Sequence, residues 1–325
     1  MLMFSKVVPV NLFGTIVVLA ITASFIASMT LLPASMIIFR PRFLFRRSSS
    51  GAKQNPSFKT GIILLVLMSV LSFSSKVFAE VLPEGDWIVQ QINMKPDGRQ
   101  VSRKLTMTMI DRRGKKRVRE TFGYRKYYGK ERRSIIIYLS PRNIKNTGFL
   151  TFDYPEPDRD DDQWLYLPAL RKVRRISASD RGDYFLGTDL TYEDVKQEGK
   201  IETSDYTCET VGEETVNNHK TFHVKCIPQS THIAKELGYG RNDIWVEKEN
   251  WVIVKSEYRD IRNTPLKGLR AEDIRLVDGI WTRHKLIVEN YKTGHKTIFL
   301  FTDVDYKKEV KDRVFTKRAL ERGGR

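Results

Sequence analysis

The chain has 325 residues, with 56 Lys+Arg against 39 Asp+Glu and a formal charge of +17, which is long enough for two average domains or one large all-β domain. Residues 1–79 hold eight basic residues and no acidic one, so +8 sits there and +9 across residues 80–325. The first part reads as membrane or targeting sequence; the export this implies argues against nucleic acid as partner of the basic remainder and leaves anionic lipid headgroups, an acidic protein surface or plain solvent.

Val7 to Phe39 is an apolar run with no charge after Lys6, longer than the roughly 20 residues that span a bilayer. A Ser/Gly/Gln/Asn linker follows at residues 48–57. A second apolar run, Gly61 to Phe73, has a basic start at Lys53 and Lys59 and closes on Val77-Phe78-Ala79. Residues 58–79 therefore read as a signal peptide cleaved after Ala79, or as a second membrane segment that stays in place. No Cys follows the apolar centre, so a lipid anchor is not expected. In both readings the basic loop 40–59 stays cytoplasmic and residues 80–325 are exported to the periplasm, free or anchored in the inner membrane through residues 1–79. Leu31-Leu32-Pro33-Ala34 followed by Arg40-Pro41-Arg42-Phe43-Leu44 resembles the last transmembrane helix and tail of resistance-nodulation-division (MMPL-type) exporters. Over residues 1–47 this resemblance implies an inner-membrane exporter as partner; a generic membrane helix is the alternative.

From Arg103 the pattern turns to strands. Leu105, Met107 and Met109 alternate with Thr106 and Thr108, a period of two. Further strands are predicted at 118–124, 134–139, 148–154, 163–167, 173–176, 201–211, 220–227, 243–247, 252–258, 271–276, 280–289 and 297–302. Turn signals at Asn217-Asn218, Glu249-Asn250, Asp278-Gly279 and Thr293-Gly294 separate antiparallel neighbours. Short helices are expected at 81–93, 192–196 and 231–237. The fold class is thus mainly β, a curved antiparallel sheet forming an open or half barrel, in one domain over residues 80–325. Its inward set supplies the candidate ligand-lining residues: Leu105, Met107, Met109, Phe122, Ile135, Ile137, Phe222, Val224, Leu286, Val288, Phe299 and Phe301. Flexible, polarizable Met suits an irregular ligand such as an acyl chain. The alternative is that these side chains fill a closed core.

Trp164-Leu165-Tyr166-Leu167-Pro168-Ala169-Leu170-Arg171-Lys172-Val173-Arg174-Arg175-Ile176, then Gly187-Thr188-Asp189-Leu190-Thr191-Tyr192-Glu193-Asp194-Val195, Val277-Asp278-Gly279-Ile280-Trp281 and the ending from Val314-Phe315-Thr316 to Leu320-Glu321-Arg322 resemble the outer-membrane lipoprotein-sorting protein family. The resemblance runs over residues 80–325. Thr188 and Leu190 stand where the family more usually has Ser and Phe. It implies the LolA/LolB-like periplasmic carrier fold, a curved sheet wrapped on a helical lid, and a lipid or lipoprotein acyl chain as partner. Trp164 and Tyr166 share one face of their strand and Leu165 and Leu167 the other, so the strand is expected to be central or ligand-facing, with Trp164 and Tyr166 among the lining residues. Arg171, Lys172, Arg174 and Arg175 then form a cationic cluster suited to a headgroup or a partner at the cavity mouth; the alternative is pairing with Asp189, Glu193 and Asp194.

Cys208 and Cys226 flank the Asn217-Asn218 turn, which places 208 opposite 226 or 227, so an exported chain can join them in a disulfide or bury them as thiols. Five histidines are scattered, and no HExxH, paired CxxC or GxSxG motif occurs. The expectation is non-covalent binding with no enzymatic activity, cofactor or metal site; the alternatives are a scaffold with a filled core that docks to the exporter and, third, an envelope hydrolase with a scattered triad. Thirteen basic and three acidic residues at 103–133 suggest a membrane or partner face, or a solvated edge.

Overall fold

The computed structural model describes residues 82–156 and 159–324. Thirteen strands form one antiparallel sheet: β1 (Gln100–Ile110), β2 (Lys116–Tyr128), β3 (Glu131–Ser140), β4 (Gly148–Asp153), β5 (Asp162–Leu167), β6 (Lys172–Ile176), β7 (Tyr206–Val216), β8 (His219–Pro228), β9 (Arg241–Glu247), β10 (Ile253–Arg259), β11 (Pro265–Val277), β12 (Ile280–Asn290) and β13 (His295–Asp305). Four short helices accompany them: α1 (Gly85–Met94), α2 (Tyr192–Gln197), α3 (Thr231–Leu237) and α4 (Lys317–Glu321). Among the described residues no helix is long and apolar enough to cross a membrane. The membrane, linker and signal segments expected at 1–79 lie outside the described residues.

The chain enters the sheet at its middle, where β1 pairs with β2 on one side and β13 on the other. It meanders outward to β6, crosses to β7 at the opposite edge, and meanders back. The sheet is thus curved and unclosed, and the connection between its two edges, residues 177–205, spans it. Asn217-Asn218 and Asp278-Gly279 all have positive φ, the conformation that tight two-residue hairpins demand and that Asn, Asp and Gly tolerate. The largest differences in strand start are at β7, which begins at Tyr206 rather than Ile201, because Ile201 is buried beneath α1, and at β11, which begins at Pro265 rather than Ala271.

Register decides which side chains share a face, since a one-residue offset turns a side chain over. On the inner face lie Leu105 and Met107 opposite Phe301 and Phe299, then Leu286, Leu269 and, on the other half, Tyr138, Phe149 and Leu165. α1 closes one end of this face. Its Ile88, Val89 and Ile92 are fully buried against Phe222, Val224, Cys226, Ile244 and Val246, worth about 1.5–3 kcal/mol per side chain. Gly85 permits the close approach, because a Cβ there would sit 2.5 Å from the Cys208 backbone, and Asp86 accepts the Cys208 N–H at 2.8 Å. The outer face at β3–β5 is covered by the C-terminal tail, whose Val310, Val314, Phe315 and Leu320 pack on Ile135, Ile137, Leu150 and Trp164.

Cys208 and Cys226 are directly opposite across β7 and β8 and are joined as a disulfide. The bridge closes a loop with a sequence separation of 18, for which loop-closure entropy gives about 3 kcal/mol. Reduction is expected to lower unfolding free energy by about that amount in urea titrations with and without dithiothreitol. A loss below about 1 kcal/mol would show that the reduced chain keeps the hairpin ordered.

Candidate functional site

The crossing segment is held to the inner face by buried polar contacts. Thr191 caps α2 in a reciprocal box with Asp194. The Asp194 carboxylate accepts from the wholly buried Lys267 ammonium of β11 at 2.6 Å and from the Tyr239 hydroxyl at 2.7 Å. Lys267 also donates to the Asp189 carbonyl at 2.8 Å and lies about 5 Å from the rings of Tyr239 and Tyr258. The Asp189 carboxylate accepts from the Thr297 hydroxyl and faces His295 Nδ1, each at 2.6 Å. Arg132, only 2% exposed, donates to the Lys196 carbonyl at 2.9 Å and pairs with Asp153 at 2.5 Å. The stretch Gly187–Val195 is therefore the anchor of the segment. Its acids face Lys267, Lys196, Arg181, His295 and Thr297, so the alternative pairing of Asp189, Glu193 and Asp194 with Arg171–Arg175 is not formed.

The segment's Phe185, Leu190 and Tyr192 enter the core formed by Leu105, Met107, Leu286 and Phe299, filling much of the hollow. A cavity of about 190 Å³ remains. Its apolar part is lined by Leu105, Met107, Leu269, Leu286, Phe299 and Phe301 from the sheet and by Phe185, Leu190 and Val195 from the segment. Leu186, beside Phe185, has a φ of 48°, an uncommon conformation for a leucine.

The other end of the cavity is charged. Lys95, Arg103, Arg125, Lys200 and Arg283 surround Asp97 and Glu198. Arg125, 4% exposed, donates to Asp97 at 2.7 Å, and its buried Nε has no hydrogen-bond partner. Glu198 pairs with Arg103 and lies 3.7 Å from Arg125; Lys200 is 3.4 Å from Asp97. Burial would raise the Glu198 carboxyl, but Arg103, Arg125 and Arg132 outweigh it and hold it below the ordinary value. Burial, and then the charge of Arg283, lowers the Lys95 ammonium to about 8. Its folded-state value lies below the unfolded 10.5, so between pH 8 and 10.5 the unfolded chain binds more protons and stability rises with pH. Lys95→Met is expected to remove that increment, read as a smaller gain in urea midpoint between pH 7.5 and 9.5 than in the parent. An equal gain would refute it.

Four of the nine predicted lining residues meet at this cavity: Leu105, Met107, Phe299 and Phe301. Met109 shares their face but is fully buried outside the cavity. Phe222 lies under α1 beside Trp251. Phe122, Trp164 and Tyr166 are corrections. Phe122 is opposite Ile137 and stacks edge-on with Tyr124, and Trp164 and Tyr166 pack beneath the C-terminal tail, all on the outer face. The strand is apolar on both faces because tail and core cover one each, although β5 is next to an edge. Of the wider inward set, Ile135 and Ile137 are likewise outward and Val224 lies under α1. Arg171, Lys172, Arg174 and Arg175 are on or beside the edge strand β6 and line no part of the cavity; Arg174 pairs with Asp180 and Arg175 with Asp162. The charged end was missed. Its signal was parity: Arg103 is in phase with Leu105, so an arginine was due on the inner face. Among the described residues no group of three or more His, Cys, Asp or Glu is placed to hold a metal.

A family model described as an uncharacterized protein matches residues 130–322. No curated protein matches the chain. Among solved structures, a DUF1329 family protein from Desulfovibrio piger is 27% identical, with a TM-score of 0.66, over 72% of this chain and 96% of its own. A putative outer membrane lipoprotein-sorting protein domain from Vibrio parahaemolyticus is 25% identical, with the same TM-score of 0.66, over 73% and 98%. A LolA superfamily protein from Nitrosomonas europaea shares the fold at 16% identity and a TM-score of 0.54, over 73% and 99%. The fold is LolA-like. The exporter resemblance of residues 1–47 lies outside the described residues.

Proposed function

Because the chain belongs to the uncharacterized protein family whose model spans its residues 130–322, and its sheet is similar to that of a putative lipoprotein-sorting domain, we propose that it is a periplasmic carrier that binds a lipid or lipoprotein acyl chain without covalent chemistry. The observation that carries the reading is the cavity itself, whose apolar end lies between the sheet and the segment that joins its edges. Each methylene kept from water there is worth about 0.8 kcal/mol, so a chain passes between apolar environments with no bond made or broken. The resemblance of residues 1–47 supports an inner-membrane exporter of the resistance-nodulation-division type as the partner that hands over or receives the ligand.

One observation favours a second reading. Phe185, Leu190 and Tyr192 already occupy much of the hollow, as they would in a scaffold that docks to the exporter and carries nothing. Titration of the full chain with a fluorescent acyl probe, together with mass spectrometry of its organic extract, separates the two. Saturable binding or a co-purifying lipid supports the carrier; an empty protein that ignores the probe supports the scaffold.

A further inference from the structure

The cavity has two chemically distinct ends, and the charged end is over-supplied with cations. Five cations, Lys95, Arg103, Arg125, Lys200 and Arg283, face two carboxylates, Asp97 and Glu198. Arg132 is balanced by Asp153, and the remaining acids on the lining belong to Lys267, Lys196 and Arg181 or, in Glu202, to the Ser204 hydroxyl. Arg103, Arg125 and Lys200 have ion-pair partners. Arg283 does not: it donates to the Glu198 carbonyl at 2.7 Å and meets no carboxylate among the described residues. Gly199, with φ 91° and no side chain, makes the room into which the Arg283 guanidinium fits. The Lys95 ammonium has neither a hydrogen bond nor an ion pair among the described residues. Burying cations without counter-charge is costly unless a partner arrives, and the depressed Lys95 ammonium is that cost in view.

The apolar end begins where the cations stop. The Arg103 guanidinium lies 5.0 Å over the Phe301 ring, and Phe301 leads to Phe299, Met107 and Leu286. The half-exposed Trp281, near the start of β12, lines the cavity beside Arg283. A cavity of about 190 Å³ is small beside the roughly 300–1,000 Å³ of sites that enclose drug-sized ligands, which suits one chain rather than two.

We propose that this cavity takes a single-chain amphiphile with an anionic head, a carboxylate or a phosphate, seated on Lys95, Arg103 and Arg283, with the chain running along Phe301 toward Met107. This rests on the carrier reading and names its ligand class. Dodecanoate, dodecyl phosphate and dodecanol, each below its micelle concentration, are titrated against the full chain carrying a fluorescent acyl probe. The expected result is displacement by one or both anions at concentrations about tenfold below dodecanol, since a hydrogen bond to a charged group is worth about 1.5–3 kcal/mol; which anion is tighter assigns the head as carboxylate or phosphate. Arg283→Leu and, as the variant at a site with no partner to lose, Lys95→Met are expected to abolish the preference by weakening both anions about tenfold. Equal binding of all three in the parent, or an anion preference untouched by Lys95→Met, overturns the proposal and leaves the carrier standing. Binding of none, probe included, removes the carrier reading itself.

Discussion

Replacement of Lys267 by methionine is expected to cost about 3–5 kcal/mol of unfolding free energy, the usual penalty for stranding a buried charge. The Lys267 ammonium is completely buried and faces Asp194 at 2.6 Å. Methionine fills nearly the same space, so the loss is electrostatic rather than a cavity. It leaves the Asp194 carboxylate with only the Tyr239 hydroxyl and the α2 cap, and deprives the Asp189 carbonyl of a donor. The double variant Lys267→Met with Asp194→Asn is expected to recover part of the loss, because no lone charge then remains. Urea titrations of parent, both single variants and the double variant close the cycle. Asp194 sits in the segment that crosses the sheet, so limited proteolysis of Lys267→Met is expected to cut within residues 177–205 before the sheet unfolds. A single-variant cost below 1 kcal/mol would show that the pair does not hold the segment.

The second large effect concerns binding. Leu105→Trp is expected to weaken acyl-probe binding at least about tenfold, since an indole takes up a substantial part of a cavity of about 190 Å³ and each methylene displaced forgoes about 0.8 kcal/mol. Leu105 lines that space and is only 8% exposed. Because the ring enters existing space, the stability cost should fall at or below the roughly 1–3 kcal/mol of overpacking a filled core. Trp164→Leu, on the outer face under the C-terminal tail, serves as the control with probe affinity kept. Unchanged affinity in Leu105→Trp, with a stable fold, would place the acyl site elsewhere or nowhere on this chain.

Much of the secondary structure was legible because its signals are local. Alternation in β1, the Asn217-Asn218 and Asp278-Gly279 turns and the cysteines on either side of one hairpin each depend on neighbours within a few residues. A short helix is expected at 81–93, and the structure has one at Gly85–Met94. The Trp164 strand was harder: period two separates its faces but does not say which is inside, and here a tail about 150 residues later covers one of them.

By itself the sequence determined most of the strands, their turns, the antiparallel class and, to within a residue, the register of Cys208 against Cys226, because backbone pleat and turn chemistry act between adjacent residues. Only the tertiary structure decided that β1 pairs with β13, that residues 177–205 cross the sheet and plug most of its hollow, and that the cations at the cavity are Lys95, Arg103, Arg125, Lys200 and Arg283 rather than Arg171–Arg175. Those outcomes depend on which distant surfaces exclude water together. Burial and charge compensation across a hundred residues or more leave no period in the chain, so a cation destined for the interior reads in sequence like one destined for solvent.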